Sequence, residues 1–580
     1  MHLAHAARLL ARAATPDGLA ALAHAAGVTA PPVPLPRATR ARLAPDDAVA
    51  RASVCAGPGP LHALVATLQG PPLRETAAHL ARHLAAHAPA PCWLLALHHP
   101  GERAAALVAW HAAPRGPRLA ALRFDPAGPL PSDADTLRTL AARAAAAAHP
   151  ALVHQAWLDT LTRDHLSARF YRTLDTTVRA LSDSLPPSVR DPRDRADLAL
   201  LNTTRLLFLA FLEAKGWLDG DRAFLARHYD ARMAAGGQFH ARTLRPLCFG
   251  TLNTPRRHRA PAARAFGRVP FLNGGLFAPT ALERRHRAAA LGDAPLGTLV
   301  HTLLAGHRFT PREDAAAWSE AAVDPEMLGR AFESLMAARD RHTTGAFYTP
   351  RPLVEHATTE ALRQALATPD LPLDAVDAAL AGHAPPAATG AALHARAASL
   401  RLVDPACGSG AFLVHALERL ADLLATCGDP RPLADRRQAV LTRSVFGVDV
   451  NPTAVWLCEL RLWLSVVVER EVADPHAVPP LPNLDHNIRT GDALAVPPGH
   501  DLLAAGARGA AAWGGAPWAD APPGPRAAGR RADVAALRTR YAALAGPRKQ
   551  AAARRLDAAE RAHALAALDA TLARLRHARR

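Results

Sequence analysis

The feature that most constrains this chain is the run Leu402-Val403-Asp404-Pro405-Ala406-Cys407-Gly408-Ser409-Gly410-Ala411-Phe412. A short apolar strand meets an acid, a loop carrying two glycines follows, and an apolar helix opens directly behind it. In an α/β fold the carboxyl ends of parallel strands form a crevice, and a loop poor in side chains lets the backbone approach a ligand there. Gly408 and Gly410 supply that closeness, and the helix start behind them offers unpaired amides.

Three further elements accompany it in order. Thr344-Gly345-Ala346-Phe347-Tyr348-Thr349-Pro350 precedes a helical stretch from Leu353 to Ala367. A second strand, Val445-Phe446-Gly447-Val448-Asp449, ends in an acid and runs through Val450-Asn451-Pro452 into a helix. A third, Asn487-Ile488-Arg489-Thr490-Gly491-Asp492-Ala493-Leu494, again delivers an acid. A carboxylate has lone pairs enough to accept both hydroxyls of a ribose, which suits Asp449, and Asp492 is placed to accept from an adenine amino group. Taken singly, Asp404, Asp449 and Asp492 read as turn or capping residues; as an ordered set they read as a nucleoside-cofactor site. Leu413 stands where the dinucleotide fingerprint would have its third glycine, so that fingerprint is not met.

The 580 residues suggest several domains. Residues 1–150 read as a small α/β domain with strands at Cys92 to His98, Ala104 to Trp110 and Leu119 to Phe124 and a closing helix from Ser132 to Ala148. They contain no lysine, and the strands carry almost no carboxylates, which argues against an active metal-dependent nuclease and for a structural or DNA-contacting role. Residues 151–340 read as mainly helical. Leu206 to Leu212 is apolar on every face and predicts a buried helix, with Lys215-Gly216 as its C-cap. Phe271-Leu272-Asn273-Gly274-Gly275-Leu276-Phe277 predicts a tight packing turn. Residues 341–500 hold the site, and 501–580 form a Pro/Gly-rich linker and a basic helical hairpin broken at Gly546-Pro547.

Basic residues outnumber acidic ones by 68 to 51. Only Lys215 and Lys549 are lysine, and the arginine bias fits a GC-rich genome. The last 80 residues carry 15 basic and 6 acidic groups, so polyanion contact is most plausible there. Cys55, Cys92, Cys248, Cys407, Cys427 and Cys458 form no CxxC pair, so neither a zinc site nor a disulfide framework is read. With no long apolar stretch either, the expected location is a bacterial cytoplasm.

The block from Thr344 to Leu494 resembles the S-adenosyl-L-methionine-binding half of an adenine-N6 DNA methyltransferase, and more narrowly the Eco57I-type restriction-modification methylases. The phrases Phe271 to Phe277 and Leu484-Asp485-His486-Asn487-Ile488 share that likeness. The resemblance implies a Rossmann-like sheet. It also implies cofactor contacts from Thr344, Gly345, Phe347, Tyr348, Thr349 and Pro350, from Asp404, Pro405, Ala406, Cys407, Gly408, Ser409, Gly410 and Phe412, and from Asp449, Asn451 and Asp492. It implies double-stranded DNA as partner, a flipped adenine as target, and no metal. The overall expectation is an α/β chain: a small α/β domain, a helical middle domain, the first half of a methyltransferase sheet, and a helical hairpin.

The family's catalytic loop, Asn/Asp/Ser-Pro-Pro-aromatic, is expected after Asp492. Pro497-Pro498 and Pro522-Pro523 have neither the polar residue before nor the aromatic after. No catalytic residue is therefore assigned. The expectation is a truncated or split product that holds cofactor but does not methylate alone, with a second polypeptide carrying the remainder. Two alternatives stay open: a methyltransferase fragment acting on RNA or protein, and a non-enzymatic nucleic-acid-binding or assembly subunit with a vestigial methyltransferase half.

Overall fold

The computed structural model describes residues 1–44, 47–113, 116–273, 275–310, 318–329, 349–467, 469–470, 472–495, 525–544 and 547–578. They fall into two compact units. The first covers 1–216, 221–243 and 286–332, the second 217–220, 244–285 and 333–580.

The first unit is built on a sheet whose strands lie in chain order: β1 Val33–Pro34, β2 Val49–Ala56, β3 Leu61–Leu68, β4 Cys92–His99, β5 Ala104–His111, β6 Arg118–Phe124 and β7 Trp318–Glu320. Helix Leu73–His87 makes the crossover that lets β3 and β4 run parallel; β6 and β7 are also parallel, and the other neighbours are antiparallel. The strands are apolar on both sides because both faces are covered. Leu94, Leu107, Leu122, Leu137 and Trp157 share one core, while Leu80, Leu95, Val108 and Trp318 share another. The strands expected at 92–98, 104–110 and 119–124 are present, as is the closing helix at Pro131–Ala146. β2, β3 and the distant β7 were not foreseen, and β7 brings residue 320 into the unit of residues 1–150. Glu320 is the one carboxylate on these seven strands.

The helical stretch after residue 150 contributes helix Pro192–Ala214 to the same unit. Leu206 to Leu212 is buried throughout, Lys215 is the C-cap, and Gly216 follows at φ +75°, as the sequence predicts.

The second unit holds a parallel three-stranded sheet: β8 Leu402–Asp404, β9 Val445–Asp449 and β10 Ile488–Thr490, in the order β10-β9-β8. Helix Ala411–Thr426 follows β8, and Leu413, Leu417, Leu420 and Leu424 return every third or fourth residue to give it one buried face. It packs so closely on the sheet that a Cβ at Gly447 would lie 2.8 Å from Leu413 Cδ1 and 3.0 Å from Cys407 Sγ. Helix Pro452–Val467 follows β9. The expected hairpin is present as helices Pro525–Ala542 and Pro547–Ala578. Asn273, at φ +55°, and Asn483 both donate to the Leu544 carbonyl at the hairpin turn, at 2.9 and 2.8 Å. Among the described residues no helix is long and apolar enough to cross a membrane.

Candidate functional site

The three acids come together because the strands are parallel and adjacent. Asp404 closes the outer strand β8, Asp449 closes the central strand β9, and Asp492 lies two residues past the end of β10. All three stand at the same edge of the sheet, as the sequence predicts.

The glycine loop turns at this edge. Gly408 and Gly410 have φ of +51° and +88°, a region that side chains disfavour, and the helix starts at Ala411 with Gly410 as its N-cap. A Cβ at Gly410 would lie 2.6 Å from Cys458 Sγ, so glycine is required there by space as well as by angle. Cys407 and Ser409 are buried, while Pro405 and Ala406 are exposed. What the loop presents outward is therefore mainly backbone.

Asp449 uses one carboxylate oxygen for the Gly408 amide at 2.9 Å and the other for the Asn451 amide at 2.8 Å. A carboxylate has about four acceptor sites, so capacity remains for two ribose hydroxyls. Asp404 accepts from the Ala406 amide at 3.1 Å, and burial pushes its carboxyl above the usual range, with the Asp449 charge adding to the effect. Asp492 is exposed, and one of its oxygens accepts from Leu494 at 2.8 Å. The Asn451 side chain accepts from the Thr453 and Ala454 amides, the geometry of an N-cap for helix Pro452–Val467. Phe412 is half-buried on the first turn of its helix. Thr349 is half-buried and Pro350 is the N-cap of helix Arg351–Leu366; Thr344, Gly345, Phe347 and Tyr348 lie outside the described residues, as do Pro497-Pro498 and Pro522-Pro523.

Residues 386–497, which contain this whole edge, match the family described as MmeI, DNA-methyltransferase domain. Over this segment the chain is similar to the MmeI-type methyltransferases. A Methanocaldococcus jannaschii protein named as a type II restriction enzyme and methyltransferase is 26% identical over 336 residues, 53% of this chain. The chain spans 28% of that relative's length. An adenine-specific methyltransferase named PglX, from Streptomyces coelicolor, is 40% identical over 70 residues, 12% of this chain and 6% of its own. The solved structure of the type IIL restriction-modification enzyme MmeI with DNA aligns at a TM-score of 0.38 and 19% identity, covering 58% of this chain and 41% of its own. The chain thus carries a methyltransferase segment of the Eco57I- and MmeI-like restriction-modification kind.

In this methyltransferase segment the sequence reading missed what supports the loop from behind. Arg461, 4% exposed within a helix that is otherwise mostly apolar, donates to the carbonyl and hydroxyl of Ser409 at 3.2 and 3.3 Å. The available signal was its isolation: a lone charge in Leu460-Arg461-Leu462-Trp463-Leu464 must find partners if it is buried. The sequence also gave no hint that the two sheet faces differ. Val445, Gly447 and Ile488 are buried under helices, whereas Val403, Phe446, Val448 and Arg489 line an open groove with Arg401 and Arg538. Arg538 lies over the Phe446 ring at 5.3 Å. Beside it, His486, Asp557 and Glu560 bring donor atoms together, but the guanidinium groups of Arg489 and Arg538 already hold Glu560 at 2.7 and 2.8 Å.

Proposed function

We propose that this chain is the cofactor-holding part of a DNA adenine-N6 methyltransferase from a restriction-modification or phage-defence system. The observation that carries the reading is the edge itself: three acids on three adjacent parallel strands around a glycine loop, within the segment that matches the MmeI-type domain. Its residues fit a nucleoside cofactor. Asp449 keeps acceptor capacity for a ribose, Asp492 stands exposed one strand over for an adenine amine, and Gly408 and Gly410 let the backbone close in on the remainder. S-adenosyl-L-methionine, when bound, supplies the methyl group. The chain's own contribution is to bind and orient, with the glycine loop and Asp449 fixing position at a helix N-terminus.

The polar grip on a flipped base calls for an Asn/Asp/Ser-Pro-Pro-aromatic loop, which the sequence after Asp492 does not contain. That grip is assigned to a second polypeptide. In support, β8 has no strand on its outer side among the described residues.

Calorimetric titration with S-adenosylhomocysteine tests the cofactor reading. Wild type binds, and Asp449→Ala weakens binding about 100-fold, the loss of two charge-assisted hydrogen bonds. Wild type without affinity overturns it. Labelled-cofactor incubation with DNA tests the missing grip: methyl incorporation by this chain alone refutes it. A second reading, a nucleic-acid-binding subunit, is favoured by Arg540, Arg548, Arg554, Arg555 and Arg561, all exposed on the hairpin. Salt-dependent DNA affinity that vanishes on deleting 532–580, in a chain that binds no cofactor, selects it.

A further inference from the structure

We propose that Arg461 is a positioning residue for the cofactor loop: from the helix behind the sheet it clamps Ser409, the single residue between the two positive-φ glycines. The proposal rests on the cofactor reading above and deepens it.

A loop that turns through Gly408 and Gly410 has more backbone freedom than any other part of the edge, and freedom must be given up when a ligand is held. Two supports remove it. Asp449 takes the Gly408 amide at 2.9 Å, from the front. From behind, helix Pro452–Val467 presents Cys458 against Gly410 and Arg461 against Ser409; these two residues are three apart and so share one helix face. Ser409 is 2% exposed and Arg461 4%, so both ends of the clamp are dry. A buried hydrogen bond from a charged donor is not replaced by water when it breaks.

The charge of Arg461 does not by itself explain the contact. Glu418, on the helix after the loop, faces Arg461, Arg437 and Arg351. Arg437 serves the same acid at 3.5 Å and reaches on to Glu469 at 3.6 Å and the Ser465 carbonyl at 2.8 Å, without a bond to the loop. Arg461 and Arg437 thus face the same half-buried acid, together with Arg351, and of the first two it is Arg461 that donates to Ser409. That difference provides an internal control.

The test compares charge-conserving variants of the full chain by S-adenosylhomocysteine titration, thermal unfolding and amide hydrogen exchange. Arg461→Lys keeps the charge but is shorter, and so withdraws the single Nη1 nitrogen that serves both Ser409 oxygens. It is expected to weaken binding about tenfold and to speed exchange of the Cys407 to Gly410 amides, while β9 amides exchange as in wild type. Arg437→Lys is expected to bind within twofold of wild type. Ser409→Ala, which removes one of the two acceptors and leaves the charges in place, is expected to weaken binding about threefold, and it decides the matter if Arg461→Lys fails to fold. Wild-type binding by Ser409→Ala and Arg461→Lys overturns the proposal, as does an equal loss in Arg437→Lys. If wild type itself does not bind, the cofactor reading fails instead, and the exchange rates of the loop amides alone decide whether Arg461 holds them.

Discussion

The two sheets of this chain use charged groups in opposite ways. In the seven-stranded sheet of the first unit, the nearby carboxylates are spent on the fold. Glu102 accepts from the Leu73 amide and Arg123, and Asp133, fully buried, accepts from the Leu130 amide and Arg308. In the three-stranded sheet of the second unit, each strand ends in or beside an acid at one edge, and one of those acids also holds the glycine loop. The first sheet is buried on both faces, while the second is buried on one and open on the other. Packing explains where the charges of the first unit sit. It does not explain three acids at one edge of the second, which is why function is assigned there.

The largest expected effect that could break this comparison comes from Trp157→Ala. Trp157 is fully buried in the first unit, with its indole N–H donating to the Ala26 carbonyl at 2.8 Å. Truncation is expected to cost about 3–5 kcal/mol in urea unfolding, with S-adenosylhomocysteine affinity within twofold of wild type. A parallel collapse of affinity would mean that the first unit also serves the site.

A pair of glycines sharpens the contrast within the second unit. Gly410→Ala meets both a φ of +88° and the Cys458 sulfur, and is expected to cost about 2–4 kcal/mol and to impair cofactor binding. Gly428→Ala has nearly the same φ, +89°, and nothing within 4 Å, and is expected to cost about 1–2 kcal/mol with binding intact. Equal losses would remove the special status of the loop.

Asn483→Ala strips the Tyr541 carbonyl of a side-chain donor at 2.8 Å and leaves the Leu544 carbonyl with the Asn273 donor alone. A loss of about 1–2 kcal/mol is expected, with faster amide exchange confined to the hairpin.

The last contrast is a slope. Burial lifts Glu213 in the first unit to about 7 and Glu459 in the second to about 8, from an ordinary carboxyl value of 4.5. Each folded carboxyl keeps a proton that the unfolded chain releases, so its contribution to stability is full below about 4.5 and is lost as pH rises through the folded value. Glu213→Gln should remove the part of the decline that ends near pH 7, and Glu459→Gln the part that continues to about 8. Stability curves that keep the wild-type slope in either variant would show that burial does not hold that carboxyl neutral.

The site was more legible in the sequence than the fold around it. Val445–Asp449, the glycine loop and the helix opening at Ala411 stand where the residues predict, because each is a local pattern: an apolar run, an acid, then residues chosen for backbone angle. β2 and β3 were hidden by alanine. Val49–Ala56 and Leu61–Leu68 lie in an Ala-rich stretch that reads as helix, and the sheet overrides that preference by burying them. β7 is three residues long, and its partner β6 lies nearly two hundred positions earlier, so no local signal marks it. Arg461 drew no reading, because a lone charge in an apolar helix does not reveal that its partner lies in a loop 52 residues before it.

The sequence by itself determined which residues end each strand, where the backbone can turn left-handed, and where an apolar helix begins. These follow from neighbours within a few positions, through sterics and periodicity. Only the tertiary structure decided that β9 lies between β8 and β10, setting Asp449 between the other two acids, and that Arg461 reaches the loop while Arg437 does not. Strand order and buried charge pairing depend on residues far apart in the chain, and they are settled when the core closes.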